Sequence, residues 1–240
     1  MIRLDKWLAS QTEITRREAQ KMIRQGKVTV DGTVVRQPDV KADPSVQRLE
    51  FSGQAVSYQK WIYVAMNKPP GVLCACEDAR SRTVVELLPP LLKKRGLFPV
   101  GRLDKDTTGL LLLTDDGDFA HRIISPKSGI EKSYLVTLDA PVPEKLVKFF
   151  ADGVVLKDGT HCKPAMLTVL PDCKARLVLS EGKYHEVKRM FGVYGLGVEA
   201  LHRERIGRYL LPETLRQGEI CEISPQEVEF TANEDGPYTI

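Results

Sequence analysis

The sequence of 240 residues has few of the features that mark an exported or a membrane protein. It contains no apolar run near the ~20 residues that a membrane-spanning helix requires, and its longest leucine cluster, 110–113, has four residues. The N-terminus has no apolar signal core, so nothing there suggests export. The five cysteines are odd in number and have no framework spacing, which fits a reducing compartment. We therefore expect a cytoplasmic protein that enters no membrane and has one or two domains.

The motifs of common cofactor sites are also missing. The sequence has no Gly-x-Gly-x-x-Gly run, no P-loop and no Cys-x-x-Cys pair, and Cys74-x-Cys76 with scattered histidines is not a zinc pattern. A hydrophobic fraction of 42% and a charged fraction of 28% are ordinary for a globular protein, which excludes disordered, collagen-like and coiled-coil chains. We expect neither a metal nor a cofactor.

Positive charge is concentrated at the N-terminal end. Residues 1–58 hold 10 Lys and Arg against 7 Asp and Glu, whereas residues 59–240 hold 25 of each. A small basic head on a neutral body suggests a module that docks on a polyanion, the alternative being chance asymmetry on a solvated surface.

The head has a recognisable order of elements. An apolar i, i+3, i+4 spacing predicts a short helix near residues 3–10. Thr15 and Glu18 form a capping box that begins a second helix, Gly26 ends it, and Asp31-Gly32 predicts a hairpin turn. The polar face of the second helix suits a phosphate backbone, and its basic residues are Arg16, Arg17, Lys21 and Arg24.

A turn-rich linker near residues 36–60 separates the head from a larger body. Alternating and β-branched residues predict strands at 61–66, 133–138, 166–170 and 175–179. Helices are predicted at 118–124, 143–151 and 183–194. Because regular βα alternation is missing, we expect an α+β body with a mostly antiparallel or mixed sheet. The predicted division is 1–58, 59–230 and a polar tail at 231–240.

A polar loop flanked by glycines, 101–109, runs into the apolar segment 110–113, which should be a buried strand. Such a loop is held rigidly at the end of a sheet, where sites are commonly built. Taken alone, Asp104 and Asp106 are most simply turn or capping residues, and Asp115-Asp116-Gly117 is a hairpin or helix-entry turn.

Lys183 offers a second clue. In the predicted helix 183–194 it lies on the same stripe as the apolar Val187. A cation that faces inward is costly unless an anion meets it, and a carboxylate partner would have its pKa lowered by the ammonium. The alternative is that Lys183 extends to solvent at the helix end.

These segments resemble a known family. Residues 101–104 and 107–117 resemble the signature around the catalytic aspartate of pseudouridine synthases, with the RsuA family of bacterial ribosomal RNA enzymes as the best match. About the first 50 residues resemble the S4 RNA-binding domain. Further segments similar to the family are 66–69, 132–134, 181–191 and 201–207. One departure is Glu186, where relatives usually carry glutamine.

The resemblance implies a small S4-type α/β RNA-binding domain and a larger catalytic domain of pseudouridine synthase fold. It implies that Asp104 is the essential carboxylate, that Lys183 pairs with it, and that Tyr134 packs on the uracil. Arg102 would enter the space that the extruded base vacates. Weaker RNA contacts are expected from Lys188, Arg189, Arg203 and Arg205.

The expected activity is the isomerisation of a uridine in small-subunit (16S) ribosomal RNA by a monomer. Two alternatives stay open: a synthase that acts on 23S ribosomal RNA, and a noncatalytic RNA-binding assembly factor. A carboxylate-dependent hydrolase is disfavoured, because the sequence lacks a second well-placed acid.

Overall fold

The computed structural model describes residues 1–125 and 127–228. It divides the chain into two compact units, of which the first comprises residues 1–62 and 88–97 and the second the remainder. Residues 88–97 thus belong with the N-terminal unit, although the chain has by then entered the second unit. The single boundary predicted from the sequence did not include this segment. The polar tail predicted at 231–240 lies outside the described residues. None of the helices in the described ranges is long and apolar enough to cross a membrane.

The first unit combines short strands with three helices. Its elements are β1 (Ile2–Arg3), α1 (Leu4–Gln11), α2 (Arg16–Arg24), β2 (Val28–Val30), β3 (Thr33–Val34), β4 (Lys41–Ala42), β5 (Leu49–Phe51), β6 (Gln54–Ala55) and α3 (Pro90–Arg95). Four strands form an antiparallel sheet in the order β3-β2-β5-β6, and β1 pairs with β4. The predicted helices and hairpin of this unit are confirmed.

Local signals explain these elements. The Thr15 side chain accepts a hydrogen bond from the backbone of Glu18, whose carboxylate accepts one in return from Thr15 N–H at 2.7 Å, so the predicted capping box is present. The hairpin turn places Asp31 and Gly32 at φ of 51° and 78°, the left-handed values that a tight hairpin requires. The apolar faces of α1 and α2 then pack against β2 and β5 and leave the basic face of α2 exposed.

The second unit is built on one large sheet. Its elements are β7 (Tyr63–Lys68), a 3₁₀ turn (Val85–Leu87), β8 (Phe98–Pro99), β9 (Thr108–Thr114), α4 (Gly117–Ile124), β10 (Lys132–Leu138), α5 (Lys145–Asp152), β11 (Met166–Leu170), β12 (Lys174–Leu179), α6 (Glu186–Val193), β13 (Val198–Ile206), β14 (Tyr209–Leu210), β15 (Ile220–Glu222) and α7 (Pro225–Val228). The main strand order is β11-β12-β10-β13-β9-β7-β15, with β14 on β13 and β8 on β9.

This sheet confirms the predicted α+β class. Within the described residues its strands pair antiparallel except for the short parallel contact between β9 and β13. The apolar segment Leu110–Leu113 lies at the centre and is at most 1% exposed, as its composition predicts. The polar loop of residues 101–107 therefore enters the sheet at the N-terminal end of its most buried strand. Asp116 caps α4, which makes Asp115-Asp116-Gly117 a helix-entry turn.

Gly109 is required where β9 meets β13. Its φ is +100°, and a Cβ there would lie 2.3 Å from the carbonyl oxygen of Arg203. We expect Gly109→Ala to lower the free energy of unfolding by roughly 2–4 kcal/mol, because the two strands must separate and the backbone is strained. Urea denaturation measures the change. Gly117→Ala is the matched control, since a Cβ there meets nothing within 4 Å, and equal stabilities of the two variants would contradict the expectation.

Candidate active site

The ammonium of Lys68 holds the polar loop in place. Lys68 ends β7 and is fully buried. Its Nζ donates to the carbonyl oxygens of Thr107 at 2.8 Å, Pro69 at 3.0 Å and Lys105 at 3.3 Å. Burial lowers the pKa of Lys68, so these carbonyls have to compensate for the lost hydration. Lys68 therefore fixes the backbone on both sides of Asp106.

Asp104 lies in this loop with 27% of its side chain exposed. Its Oδ1 is 3.4 Å from His185 Nε2, and its Oδ2 is 3.6 Å from Lys188 Nζ. Lys188 also donates to both carboxylate oxygens of Asp106 at 2.7 Å, which lowers the pKa of that carboxyl. The imidazole of His185, just before α6, and the ammonium of Lys188, in the first turn of α6, thus face Asp104. Sequence reasoning missed both His185 and the ion pairs of Lys188.

The sequence placed Lys183 in the first turn of a helix, which is wrong, and the pairing with Asp104 that the resemblance implies is not made in this structure. The helix begins at Glu186, because His185 has a φ of +48° and no helix continues through that conformation. Lys183 lies in the irregular segment before it. Its ammonium contacts Glu181 and is 3.9 Å from Glu186, and the structure gives it no ion pair with Asp104. Although burial opposes it, the contact with Glu181 raises the pKa of Lys183.

Glu181, Glu186 and Cys162 bring their carboxylate oxygens and sulfur within 4.8 Å of one another. The cation beside them is the ammonium of Lys183. Because that ammonium already compensates the carboxylates, we assign no metal ion to the cluster.

Tyr134 lies on β10 and is 7% exposed. The guanidinium carbon of Arg203 is 6.0 Å from the centroid of its ring, and Arg203 Nε donates to the carbonyl of Leu110 at 2.7 Å. Arg203 itself is only 3% exposed. The guanidinium of Arg203 is thus buried beside the ring of Tyr134 and is not presented at the surface, and the RNA contact expected of Arg203 stays a prediction.

The remaining predicted contacts of this unit differ in their availability. Arg102 is exposed, and no ion pair of its guanidinium occurs within the described part of the chain. Arg189 pairs with Asp158, and Arg205 pairs with Glu131 at 3.2 Å. Of these three arginines, Arg102 alone lacks an ion pair among the residues that the structure describes.

In the first unit, Arg17, Lys21 and Arg24 are exposed on α2. Arg16 differs, because its Nε is 3.2 Å from the buried carboxylate of Asp5. Although burial opposes it, hydrogen bonds from Arg3, Gln20 and Arg16 hold the pKa of Asp5 below its usual range. Arg16 is therefore tied to Asp5, unlike the exposed Arg17, Lys21 and Arg24.

One open cleft is lined by several of the predicted site residues. The predicted residues Arg102, Asp104, Tyr134 and Lys183 line it together, as does Lys188. A carboxylate beside an aromatic wall and several cations suits a planar, uncharged ring attached to a polyanion. The cleft therefore fits carboxylate chemistry on a base of a nucleic acid.

Comparison with known proteins agrees with this geometry. The family model described as RNA pseudouridylate synthase matches residues 62–192, and the S4 domain matches residues 2–47. The ribosomal small subunit pseudouridine synthase A of Escherichia coli is 44% identical over 232 residues, which cover 95% of this chain and 98% of that protein. The protein of the same name from Yersinia pestis is 42% identical, with 95% and 97% covered.

Two further similarities extend over the same length. An uncharacterized RNA pseudouridine synthase of Bacillus subtilis is 39% identical, with 95% of this chain and 98% of that protein covered. A crystal structure of a pseudouridylate synthase, 40% identical, superposes with a TM-score of 0.67 and covers 95% of this chain and 98% of its own. Sequence, fold and the Asp104 cleft agree, and the chain belongs to the RNA pseudouridylate synthase family, with an S4 domain at its N-terminus.

Proposed function

We propose that the protein acts as a monomer in the cytoplasm and converts a specific uridine of small-subunit (16S) ribosomal RNA into pseudouridine. The observation that carries the proposal is the position of Asp104, which lies in one cleft with Tyr134 and Arg102. The names of the similar proteins of Escherichia coli and Yersinia pestis favour the small subunit as the target.

The chemistry needs one well-placed carboxylate. The N1–C1′ bond of the uridine breaks, the base turns, a C5–C1′ bond forms, C5 loses a proton and N1 gains one. The isomerisation involves no net oxidation and no hydrolysis. Asp104 acts as the nucleophile at C1′ or C6, or as the base at C2′, and the neighbouring His185 and Lys188 hold its carboxylate toward the cleft.

Tyr134 supplies the aromatic wall. It packs on the extruded uracil, and its phenol assists removal of the C5 proton. The guanidinium of Arg203 beside the ring keeps the tyrosine in this orientation.

Arg102 accounts for extrusion of the base. Unstacking a base from an RNA helix costs a few kcal/mol, and a side chain that enters the vacated space recovers part of this cost. Arg102 is two residues from Asp104, is exposed and lines the cleft, so it is suited to this position.

The exposed basic face of α2 docks on the RNA backbone. We expect the triple variant Arg17→Gln, Lys21→Gln, Arg24→Gln to weaken binding of 16S transcript and to reduce the slope of log K against log[salt] by about two to three, because each phosphate contact releases about one counterion. Filter binding at several salt concentrations measures the slope. The matched control replaces Lys145, Lys148 and Lys157 of the second unit by Gln, and an equal loss in both triple variants would contradict the role of α2.

The direct test is incubation of the purified protein with 16S and 23S transcripts, followed by mapping of pseudouridine. We expect one modified position in the 16S transcript. Modification of the 23S transcript alone would show that 23S and not 16S ribosomal RNA is the target. If neither transcript is modified but RNA binding is retained, the noncatalytic assembly factor is favoured.

A further inference from the structure

Two buried glutamates share one lysine beside the catalytic cleft. Glu181 is 8% exposed and Glu186 is 4% exposed. One carboxylate oxygen of each lies within 4.8 Å of the other. The ammonium of Lys183 contacts Glu181 and is 3.9 Å from Oε1 of Glu186. The mechanism proposed above uses neither glutamate.

Backbone hydrogen bonds fix one oxygen of each carboxyl group. Oε1 of Glu181 accepts from the N–H of Lys163 at 2.7 Å, and Oε2 of Glu186 accepts from the N–H of Lys183 at 2.9 Å. The other oxygen of Glu186, Oε1, is buried and has no hydrogen-bond partner. Two carboxyl groups in contact with a single ammonium are neutral together only if one of them carries a proton.

The titratable groups around Glu186 agree with a proton on that residue. Burial and the neighbouring Glu181 raise the pKa of Glu186 to about 7. Burial raises the pKa of the Cys162 thiol to about 11, so the thiol adds no charge at neutral pH. Burial lowers the pKa of the neighbouring Lys132 to about 8.

We propose that Glu186 is a positioning residue, which together with Glu181 holds Lys183 away from Asp104 and lets the ammonium turn toward Asp104 only while Glu186 is protonated. This inference rests on the proposed function, since it concerns turnover in the same cleft. Lys183 and Asp104 both line that cleft, so the movement is that of one flexible side chain.

Ionisation of Glu186 gives Lys183 a second negative partner within 3.9 Å, which strengthens retention of the ammonium. Turnover is therefore highest below the pKa of Glu186 and falls as the pH rises through about 7.

The test compares pH profiles of wild type, Glu186→Gln and Glu199→Gln on 16S transcript. Glutamine keeps the shape of a protonated glutamate and does not ionise. We expect kcat of the wild type to fall about tenfold between roughly pH 6 and pH 8, as one titration near 7 requires, and kcat of Glu186→Gln to vary less than about twofold. KM should change little in either protein. Lys132 is present in both wild type and Glu186→Gln, so its titration affects both profiles equally. The ratio of the two kcat values at each pH therefore reports the ionisation of Glu186.

Glu199 is exposed on β13, and its variant should follow the wild type. Parallel profiles of wild type and Glu186→Gln would overturn the inference and leave the proposed function standing. Glu181→Gln is the second variant should Glu186→Gln fail to fold, because it leaves one carboxylate for one ammonium and should also flatten the profile.

A measurement independent of turnover separates the two proposals. Carbon-13 NMR of glutamate carboxyls should show one group that titrates near 7 in the wild type and is missing in Glu186→Gln. A wild type that never isomerises uridine would overturn the proposed function, whereas the absence of this titration would overturn the role of Glu186 by itself.

Discussion

The Asp104→Asn variant is expected to lose isomerisation by a factor on the order of 10⁴ in kcat, as removal of an essential catalytic group does in other enzymes. Asparagine has the shape of aspartate but neither its charge nor its basicity, so it cannot attack the nucleoside or accept its proton. The Kd for 16S transcript should change less than about twofold, because affinity for RNA comes mainly from cations that contact phosphates and Asp104 is not one of them. Single-turnover kinetics and filter binding measure the two quantities.

Asp106→Asn is the matched control in the same loop. The side chain of Asp106 is 72% exposed, and its carboxylate binds Lys188. We expect its loss of kcat to stay below about tenfold, because it removes a partner of Lys188 and not a reacting group. Wild-type turnover by Asp104→Asn, or an equal loss in both variants, would contradict the assignment of Asp104.

The Lys68→Met variant is expected to lose roughly 3 kcal/mol of the free energy of unfolding, since three carbonyl groups of the loop lose a charged donor in a buried position. Methionine fills much of the volume of lysine, so the change tests the ammonium and not the packing. Because the same contacts fix the loop around Asp104, kcat should fall as well. Urea denaturation gives the change in stability.

Lys105→Met provides the comparison for this prediction. Lys105 lies in the same loop but is exposed, and its ammonium donates to the Ser81 hydroxyl at 3.3 Å. We expect its stability to change by less than about 0.5 kcal/mol. If the free energy of unfolding of Lys68→Met also changed by less than about 0.5 kcal/mol, the buried ammonium would not be what holds the loop.

Local signals in the sequence predicted much of the fold. Thr15 and Glu18 predict a helix start because two side chains and two backbone N–H groups satisfy one another within four residues. The segment Leu110–Leu113 predicts a buried strand because four consecutive apolar residues need cover on both faces. The position of Asp104 in a cleft was expected from the resemblance of its segment to the pseudouridine synthase signature, since the residues alone suggest a turn.

Other features depend on contacts that the sequence does not encode locally. The positive φ of His185, a residue that rarely adopts it, shortens the predicted helix and moves Lys183 to Glu181. Arg203 is buried because β13 pairs with β9, over 90 residues away in the chain. Lys68 precedes a Pro-Pro-Gly turn, where a lysine is ordinarily exposed, and only the return of residues 105–107 buries it.

The most direct test of the account is a map of pseudouridine in ribosomal RNA from cells that lack this protein and carry either the wild-type gene or Asp104→Asn on a plasmid. We predict that one pseudouridine of 16S ribosomal RNA is present with the wild type and missing with Asp104→Asn. Identical maps from the two strains, with both proteins present at the same level, would contradict the claim that Asp104 isomerises a uridine of the small subunit.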